Sequence, residues 1–346
     1  MKTVRESGVN ALDLKDMNMS LISTSLKRSG RATSRDLSAA TGLSMMTVNS
    51  LLQVLLARGA VLSGDLVPSS GGRPAREYVF NEQYQLVLVL FTREVSGINT
   101  LCVRVADLYG TVIHAHDSPF RDESFASFET AIDDCISRFP AIAAIAFGLP
   151  GIEYQGSIVW LDYKNLVNAP IIPHFTERYQ LPVLCENDVN AAAFGRGFLP
   201  GSYASEVYIY VPVKYPPGSG IRINGSIVRG KRNFAGEIGW LPVGASWGTR
   251  EFVSDVDAVC TALAKVVTSL TAVIAPDSVV LFGEFLELAH LARIREKTAA
   301  LLPAGIVPEL SLASDFTADY ERGLIGLALG RLDAGVTQTS ISVHPH

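Results

Sequence analysis

The chain has 346 residues, of which 48% are hydrophobic and 18% are charged, enough material for more than one packing unit. Its longest apolar runs, Leu86–Phe91 and Ala141–Phe147, are far shorter than the roughly 20 residues that cross a bilayer, which predicts a cytoplasmic protein with no membrane partner. The 4 cysteines lie far apart with no C-x-x-C pair, so neither a disulfide framework nor a zinc knuckle is indicated.

Charge is divided unevenly along the chain. Residues 1–81 carry 10 Lys/Arg and 6 Asp/Glu, whereas residues 82–346 carry 19 and 28, so the first segment is +4 and the remainder is −9. A basic head on an acidic body indicates a polyanionic partner for the head.

Three helices are predicted in the head. Apolar residues recur at three- and four-residue steps until Ser29, which predicts the first helix. Thr33 and Asp36 have the spacing of a capping box and begin a short second helix. A glycine turn over residues 41–44 separates it from a third helix, Met45–Arg58, and this arrangement is typical of a helix-turn-helix.

Two short strands at residues 60–62 and 77–80 flank a glycine- and arginine-containing tip, which predicts a wing beside the helices. An arginine on such a tip can enter the minor groove, and polar side chains of the third helix can contact bases in the major groove. The predicted DNA-contacting residues are Arg35, Ser44, Met45, Met46, Thr47, Asn49, Ser50, Gln53, Gly72 and Arg73. The alternative is a three-helix interaction domain with a hairpin.

Strands and helices alternate in the body, which favours parallel or mixed sheets with a cleft at the strand ends. Strands are predicted at residues 86–91, 101–107, 142–147, 207–211, 221–228 and 278–282. Helices are predicted at residues 125–139, 253–274 and 320–332.

Several motifs resemble the ROK family, which joins sugar kinases to transcriptional regulators built on the same kinase-like body. Those in the head are Asn18-x-Ser-Leu-Ile, Gly30-x-x-Thr-Ser-Arg-Asp-Leu, Thr41-Gly-Leu-Ser-x-x-Thr-Val and Gly72-Arg-Pro. Those in the body are Phe147-Gly-Leu-Pro-Gly, Glu186-Asn-Asp-Val-Asn-Ala-Ala and Gly236-Glu-Ile-Gly.

The resemblance implies an α/β protein with an N-terminal winged helix-turn-helix and a two-lobed actin/hexokinase-like (ribonuclease H-like) body. The expected domains are the winged helix at residues 1–82, a first α/β lobe at 83–190 and a second α/β lobe at 191–346. The terminal helix is expected to pack back on the first lobe.

The nucleotide-binding turns depart from the family pattern. The turn after the first strand, Asp-x-Gly-x-Thr in the family, is replaced by Thr92-Arg-Glu-Val-Ser-Gly, and the second phosphate loop, Val213–Gly220, contains two prolines that donate no N–H. The adenosine loop keeps only Gly283. Asp188 stands at the position of the catalytic base, but a base without a phosphate cradle does not make a kinase. We therefore expect no catalytic residue and no cofactor.

The resemblance also implies that Asn187, Asp188, Glu237 and Glu251 bond the hydroxyl groups of a sugar. The family's histidine after G-E-I-G is Trp240, and its zinc segment is shortened and lacks every thiolate, so no metal is expected.

Three interpretations of this pocket stay open. It binds a sugar or sugar phosphate, with Trp240 as a stacking face; it binds a different small effector; or it is a packed relic. In the relic, Trp240 and Trp247 are core residues and Glu237 is a capping acid.

The sequence thus predicts a transcriptional regulator that binds operator DNA, senses a carbohydrate-type effector and forms a homodimer or tetramer. The resemblance suggests repression relieved by sugar, with activation left open. The alternatives are an active sugar kinase with a DNA-binding head, and a constitutive DNA-binding dimer without an effector.

Overall fold

The structure, a computed structural model, describes residues 11–69, 72–161 and 163–337. The described residues contain one sheet of three strands, two sheets of five strands and a two-stranded hairpin. The three-stranded sheet belongs to the head, and the two larger sheets form the body.

The head contains three helices and three strands. They are α1 (Ala11–Ser29), β1 (Arg31–Thr33), α2 (Ser34–Thr41), α3 (Met45–Arg58), β2 (Val61–Ser69) and β3 (Gly72–Phe80). The three predicted helices are confirmed, and so is the capping box: Thr33 N–H donates to Asp36 Oδ2 at 3.0 Å, and Asp36 N–H donates to Thr33 Oγ1 at 3.3 Å. The short strand β1 was not predicted, because three residues carry no readable alternation.

The helices α2 and α3 differ in direction by 114° across the turn at residues 42–44. Gly42 adopts φ +73° there, a left-handed conformation that glycine adopts at little cost. The apolar faces of the three helices meet in one small core with β3, which includes Ile22, Leu26, Leu52 and Phe80. This geometry turns the opposite face of α3 towards solvent.

The body is built from ten strands in two sheets, the hairpin and seven helices among the described residues. The first part contains β4 (Leu86–Val95), β5 (Ile98–Ala106), β6 (Val112–Pro119), α4 (Phe125–Arg138), β7 (Ile142–Leu149), β8 (Gly151–Tyr154), β9 (Ser157–Leu161), α5 (Ile171–Tyr179), β10 (Val183–Asn187) and α6 (Asp188–Arg196). The second part contains β11 (Glu206–Tyr210), β12 (Gly218–Ile223), β13 (Ser226–Ile227), α7 (Arg250–Ser254), α8 (Val256–Ile274), β14 (Ser278–Phe282), α9 (Leu288–Leu301), β15 (Glu309–Leu312) and α10 (Phe316–Thr337).

The two body sheets have the same topology. The first has the order β10-β7-β4-β5-β6 and the second the order β15-β14-β11-β12-β13. In both, the first three strands of the order are parallel and the other two are antiparallel. The carboxyl ends of the parallel strands therefore offer two comparable edges for a ligand site.

The helices α6 and α10 cross very closely. A Cβ at Gly323 would lie 1.8 Å from the carbonyl oxygen of Ala191, and one at Gly195 would lie 2.0 Å from that of Asp319. No other residue type fits at either position. The helix α10 also packs on β4 and β7, so one buried cluster joins both body sheets.

Several predicted elements differ from the observed ones, and the helix expected at residues 320–332 runs from Phe316 to Thr337. The first body strand continues four residues beyond Phe91. The segment 221–228 is a hairpin rather than one strand, because Asn224 and Gly225 turn the chain with φ +50° and +76°. The helix expected at 253–274 is divided at Asp255, whose Oδ1 accepts the Ala258 N–H at 3.0 Å and caps a new helix.

The helix α8 is long and apolar, with a mean hydropathy of 1.6 over its most apolar stretch. It is the one straight helix of the described residues with the length and composition to cross a membrane, and half of that stretch is buried inside the protein. Its buried residues, among them Val259, Leu263 and Val267, pack in the core of the second sheet, so it serves here as a core helix.

Candidate functional site

A cleft of about 1130 Å³ lies at the carboxyl ends of the parallel strands of both body sheets. It is lined by the ends of β4, β7 and β10 from the first sheet and by residues that follow β11 and β14 in the second. Strand ends of this kind expose backbone and polar side chains without disturbing the core. The cleft is large enough for a drug-sized ligand.

Asp188 begins α6 at the wall of this cleft and is buried. Burial raises the pKa of its carboxyl group to about 7, and the nearby Glu237 carboxylate adds to the effect. Its Oδ1 accepts the backbone N–H of Val189 at 2.9 Å, and this bond and the Asn187 side chain lower its pKa against the effect of burial. Asp188 is therefore a buried carboxyl group at the wall of a cavity, whose local hydrogen bonds offset only part of the cost of burial.

Asn190 lies two residues further along α6 and is only 4% exposed. Its Nδ2 donates to Glu186 Oε1 at 3.2 Å, but its Oδ1 finds no hydrogen-bond donor within the described part of the chain. A buried acceptor without a donor is costly. Arg229 Nη2 in turn forms an ion pair with Glu186 Oε2 at 2.5 Å, and this pair joins the two parts of the body beside Asn190.

Glu237 reaches the cleft because Gly236 fixes its loop against β12. Gly236 adopts φ +101°, and a Cβ there would lie 2.0 Å from the carbonyl oxygen of Ser219. The Gly236 carbonyl accepts the Ser219 N–H at 2.8 Å. Glu237 makes no capping bond to the turn that follows it, and burial raises its pKa. The interpretation of Glu237 as a capping acid is therefore wrong.

The two tryptophans of this loop differ. Trp240 is 79% exposed and lines the cleft, so the interpretation of Trp240 as a core residue is also wrong. Gly239 explains the exposure, because it packs on Pro216 and donates its N–H to the Pro217 carbonyl at 3.1 Å, which leaves the next side chain outside. Trp247 does pack against the core of the second sheet, edge-on to Phe252 at 5.1 Å.

Two of the predicted effector residues are placed differently from expectation. Asn187 lines the cleft but caps α6: its Oδ1 accepts the N–H groups of Val189 and Asn190 at 3.0 Å each. Its Nδ2 donates to the Gly151 carbonyl at 3.2 Å, so the amide is largely committed to holding the start of α6 in place. Glu251 is exposed in the first turn of α7 and is not among the cleft-lining residues, because Thr249 caps that helix and turns it away.

The turn expected at Thr92–Gly97 is a tight hairpin. Strand β4 stays paired with β5 as far as Val95, and Ser96 and Gly97 make the turn with φ +51° and +82°. Arg93 is held by Cys102 Sγ at 3.3 Å and Asp117 at 3.2 Å. Glu94 forms an ion pair of 2.6 Å with Lys214, across the cleft. Side chains and paired backbone thus occupy the place where a nucleotide-binding turn would expose its N–H groups.

Aromatic rings cover the neighbouring strand ends. Tyr210 is the last residue of β11 and stacks on Phe316 at 4.5 Å between ring centroids, and Phe316 stacks on Phe282 at 5.7 Å. The sequence motifs gave no sign of this stack, because its members are distant in the chain and meet only when β11, β14 and α10 come together.

A second set of contacts crosses the cleft at hairpin β8–β9. Asn233 Nδ2 donates to the Glu153 carbonyl at 2.6 Å, and the Arg232 guanidinium lies 5.8 Å from the centre of the Tyr154 ring. Together with the Glu94–Lys214 pair, these contacts join the two parts of the body at more than one point.

The head presents one exposed polar surface. Most of the predicted DNA-contacting residues are exposed on it: Arg35, Ser44, Met45, Met46, Asn49, Ser50 and Gln53. Thr47 is half-buried, and its hydroxyl lies 2.9 Å from that of Ser44, the N-cap of α3. Gly72 and Arg73 begin β3, and their side chains lie outside the described part of the structure.

A model of the ROK family matches residues 106–261. The xylose repressor of Bacillus subtilis (strain 168) is 26% identical over 241 residues, which cover 66% of this chain and 61% of that protein. The chain thus spans about three fifths of the length of this relative.

Two solved structures show the same fold. A ROK family transcriptional regulator described as a homolog of the E. coli Mlc protein matches with a TM-score of 0.64 and 18% identity, covering 94% of this chain and 99% of that one. A ROK hexokinase from Thermus thermophilus matches with a TM-score of 0.58 and 21% identity, covering 72% and 99%. The resemblance seen in the motifs is confirmed for residues 106–261, which match the ROK family model, and the body has the mixed α/β fold of these two solved structures.

Proposed function

We propose that the chain is a sequence-specific DNA-binding transcriptional regulator, a repressor in the simplest case, that senses a sugar-like effector in a non-catalytic cleft. The proposed domains are a winged helix-turn-helix at residues 1–82, a first lobe at 83–190 and a second lobe at 191–346. The proposed location is the cytoplasm, where operator DNA lies.

The observation that carries the proposal is the geometry of α2 and α3. An angle of 114° across a three-residue glycine turn is the geometry of a helix-turn-helix, in which the second helix enters the major groove. The outer face of α3 offers Asn49 and Gln53, whose amides suit adenine, and Met46, whose apolar end suits the methyl group of thymine. The hairpin β2–β3 stands beside it in the place of a wing.

Pairing of two heads is supported by α1. Leu14, Met17 and Leu21 are exposed although they are large and apolar, and their spacing places them on one face of the helix. A second copy of the chain is the proposed cover for this face. A two-fold pair of heads suits an operator with two half-sites.

The cleft supports sensing rather than phosphoryl transfer. Asp188 and Glu237 face the cavity as hydroxyl acceptors. The Thr92–Gly97 hairpin and the Glu94–Lys214 pair leave no cradle of free N–H groups for ATP phosphates. Without that cradle, a hydroxyl group activated by Asp188 has no bound phosphoryl donor to attack.

Helix α10 is the proposed route from the cleft to the head. Its first residue, Phe316, lines the cleft, and Ile325 and Leu329 lie within 3.4 and 3.8 Å of the Cβ position of Gly110. The adjacent Tyr109 donates its hydroxyl to the Lys27 carbonyl at 2.9 Å and packs edge-on to Phe80, which is in the head. An effector acts through this route only if it binds open and closed clefts with different affinity.

The test is operator selection with the full chain. A random DNA pool is enriched on the purified protein, and binding of the best sequence is measured by fluorescence anisotropy at fixed salt. Asn49→Ala should weaken binding by about 5- to 150-fold and relax the base preference, because a bidentate base contact is worth about 1–3 kcal/mol. Arg35→Ala should weaken binding to every sequence alike.

Arg121→Ala is the matched control, because Arg121 is an exposed arginine of the body. Its binding should equal that of the wild type. Failure to enrich any sequence, or equal affinities for the Asn49→Ala variant and the wild type, would refute the proposed docking of α3. If no small molecule changes the affinity for the operator, the alternative of a constitutive DNA-binding dimer without an effector would be favoured.

A further inference from the structure

Exposed aromatic side chains are concentrated in the cleft. Trp160, Tyr215, Phe234 and Trp240 are 54%, 46%, 50% and 79% exposed, and all of them line it. They come from hairpin β8–β9 and from two separate loops of the second part of the body. Large apolar side chains left in water at one concave site indicate a ligand that covers them.

Carboxyl and amide oxygens of the same cleft present hydrogen-bond acceptors. Asp188 and Glu237 present carboxyl oxygens, and the buried Asn190 Oδ1 has no donor within the described residues. Three of the four cationic side chains there are already engaged: Arg93 with Asp117, Lys214 with Glu94 and Arg229 with Glu186. The fourth, Arg232, lies over the Tyr154 ring.

This arrangement selects against anions. The cleft is lined by seven carboxylates and four cationic side chains, a formal net charge of −3. A phosphate group brought near Asp188 and Glu237 would meet like charge, and Arg232 is the one cation of the cleft lining that no carboxylate of the described residues engages. A ligand rich in hydroxyl groups instead supplies donors to all three acceptors.

The size of the cleft indicates a ligand with more than one sugar ring. Its volume of about 1130 Å³ is at the upper limit for sites that bind drug-sized ligands. A lone pyranose held at Asp188 and Glu237 would leave most of the exposed aromatic surface in water. Aromatic rings cover the apolar C–H faces of sugar rings, so additional sugar rings account for the additional aromatic residues.

We infer that the effector is an uncharged oligosaccharide of two or more rings, with one ring held by Asp188, Asn190 and Glu237 and the next against Trp240. This inference rests on the proposed sensing role of the cleft and specifies the ligand class. In this arrangement, contact with Trp240 is what makes a ligand of two rings bind more tightly than a ligand of one ring.

The experiment measures ligand affinities for the full chain by calorimetric titration. The probes are glucose, glucose 6-phosphate, xylose, cellobiose, maltose and xylobiose, and tryptophan emission gives a second readout. We expect at least one disaccharide to bind 10-fold or more tightly than its own monosaccharide. Glucose 6-phosphate should bind at least 10-fold more weakly than glucose.

Variants locate the second ring. Trp240→Ala should raise the Kd of the preferred disaccharide 10-fold or more and change the Kd of its monosaccharide less than 2-fold. Leu288→Ala is the matched control, because Leu288 is 76% exposed and lies outside the cleft. It should change neither value. Both residues are exposed, so neither variant is expected to unfold the protein, and a thermal melt verifies this.

The inference is overturned if no disaccharide exceeds its monosaccharide, if glucose 6-phosphate binds best, or if no probe binds. It is also overturned if Trp240→Ala weakens both ring sizes equally. Operator binding is measured separately. If the protein binds DNA but shows no preference for a disaccharide, the inference about the ligand is refuted and the proposed function is not. Disaccharide binding without any DNA binding removes the proposed function and keeps the ligand class.

Discussion

Two regions of one cleft have opposite characters. In the acid cluster, Asp188, Asn190 and Glu237, the Asn190 Oδ1 has no donor within the described residues, and burial raises the pKa of both carboxyl groups. The hairpin contact, Arg93, Glu94 and Lys214, has every charge engaged by another side chain. The first region carries an energetic cost that a ligand would relieve, whereas the charges of the second are already compensated within the protein.

This difference bears on the proposed sensing role of the cleft. Unpaired buried groups mark places where a ligand completes the structure. A region whose groups are mutually paired gains little from a ligand, whatever its ancestry. Function in such a cleft is therefore indicated by the groups that the protein leaves unsatisfied.

ATP turnover would contradict the contrast between the acid cluster and the hairpin contact more strongly than any other result. With ATP, magnesium and a hexose or disaccharide panel, we expect phosphate transfer at least about a thousand-fold below the 1–100 per second typical of kinases. A coupled assay and a direct phosphosugar assay measure it, with Asp188→Asn as the background control. Turnover that this substitution abolishes would show that the hairpin contact does accommodate phosphates.

Gly323→Ala tests whether the close crossing of α6 and α10 supports both regions of the cleft. Its Cβ would lie 1.8 Å from the Ala191 carbonyl, so α6 and α10 must separate, and we expect a loss of about 3 kcal/mol or more of unfolding free energy in urea. Gly330→Ala is the control on the same helix, because its Cβ meets nothing within 4 Å. It should stabilise by about 0.5–1 kcal/mol. Equal effects of the two substitutions would contradict the close crossing.

Asp188→Asn sharpens the account of the acid cluster. The pKa of Asp188 rises from its usual 3.8 to about 7 in the folded protein, so ionisation costs stability as the pH rises from about 4 to 7. The variant should be more stable than the wild type by about 1–4 kcal/mol at pH 8. This gain should disappear towards pH 4.

Urea unfolding at pH 4, 6 and 8 measures the gain, and Asp122→Asn, at an exposed position, provides the control. A constant difference across this range would contradict the raised pKa. The same Asp188→Asn variant should lose ligand affinity, because an amide replaces one acceptor oxygen with a donor.

The smallest expected effect belongs to the hairpin contact. Glu94 and Lys214 are substantially exposed, so their ion pair is weakly coupled to the rest of the protein. Glu94→Gln should change operator and disaccharide affinities less than about 5-fold at 0.15 M salt. A change above 10-fold would show that this pair controls opening of the cleft.

Most of the head was predictable from local sequence signals. The helices α2 and α3 depend on caps and glycine turns within a few residues, which are encoded locally, and their limits agree with prediction. Strand β1 could not be predicted, because its three residues become a strand only by pairing with β3. The body motifs located Asp188 and Glu237, because both follow short glycine- or asparagine-containing signatures.

The sequence by itself determined the class of the protein: the caps, the glycine turns and the motifs all lie within short segments whose chemistry is local. Tertiary structure alone decided which groups remain unpaired. Trp240 is exposed because Gly239 packs on Pro216, Glu251 turns away with α7, and Glu94 meets Lys214 from another sheet. These outcomes depend on contacts between residues up to 120 positions apart, so no local pattern can encode them.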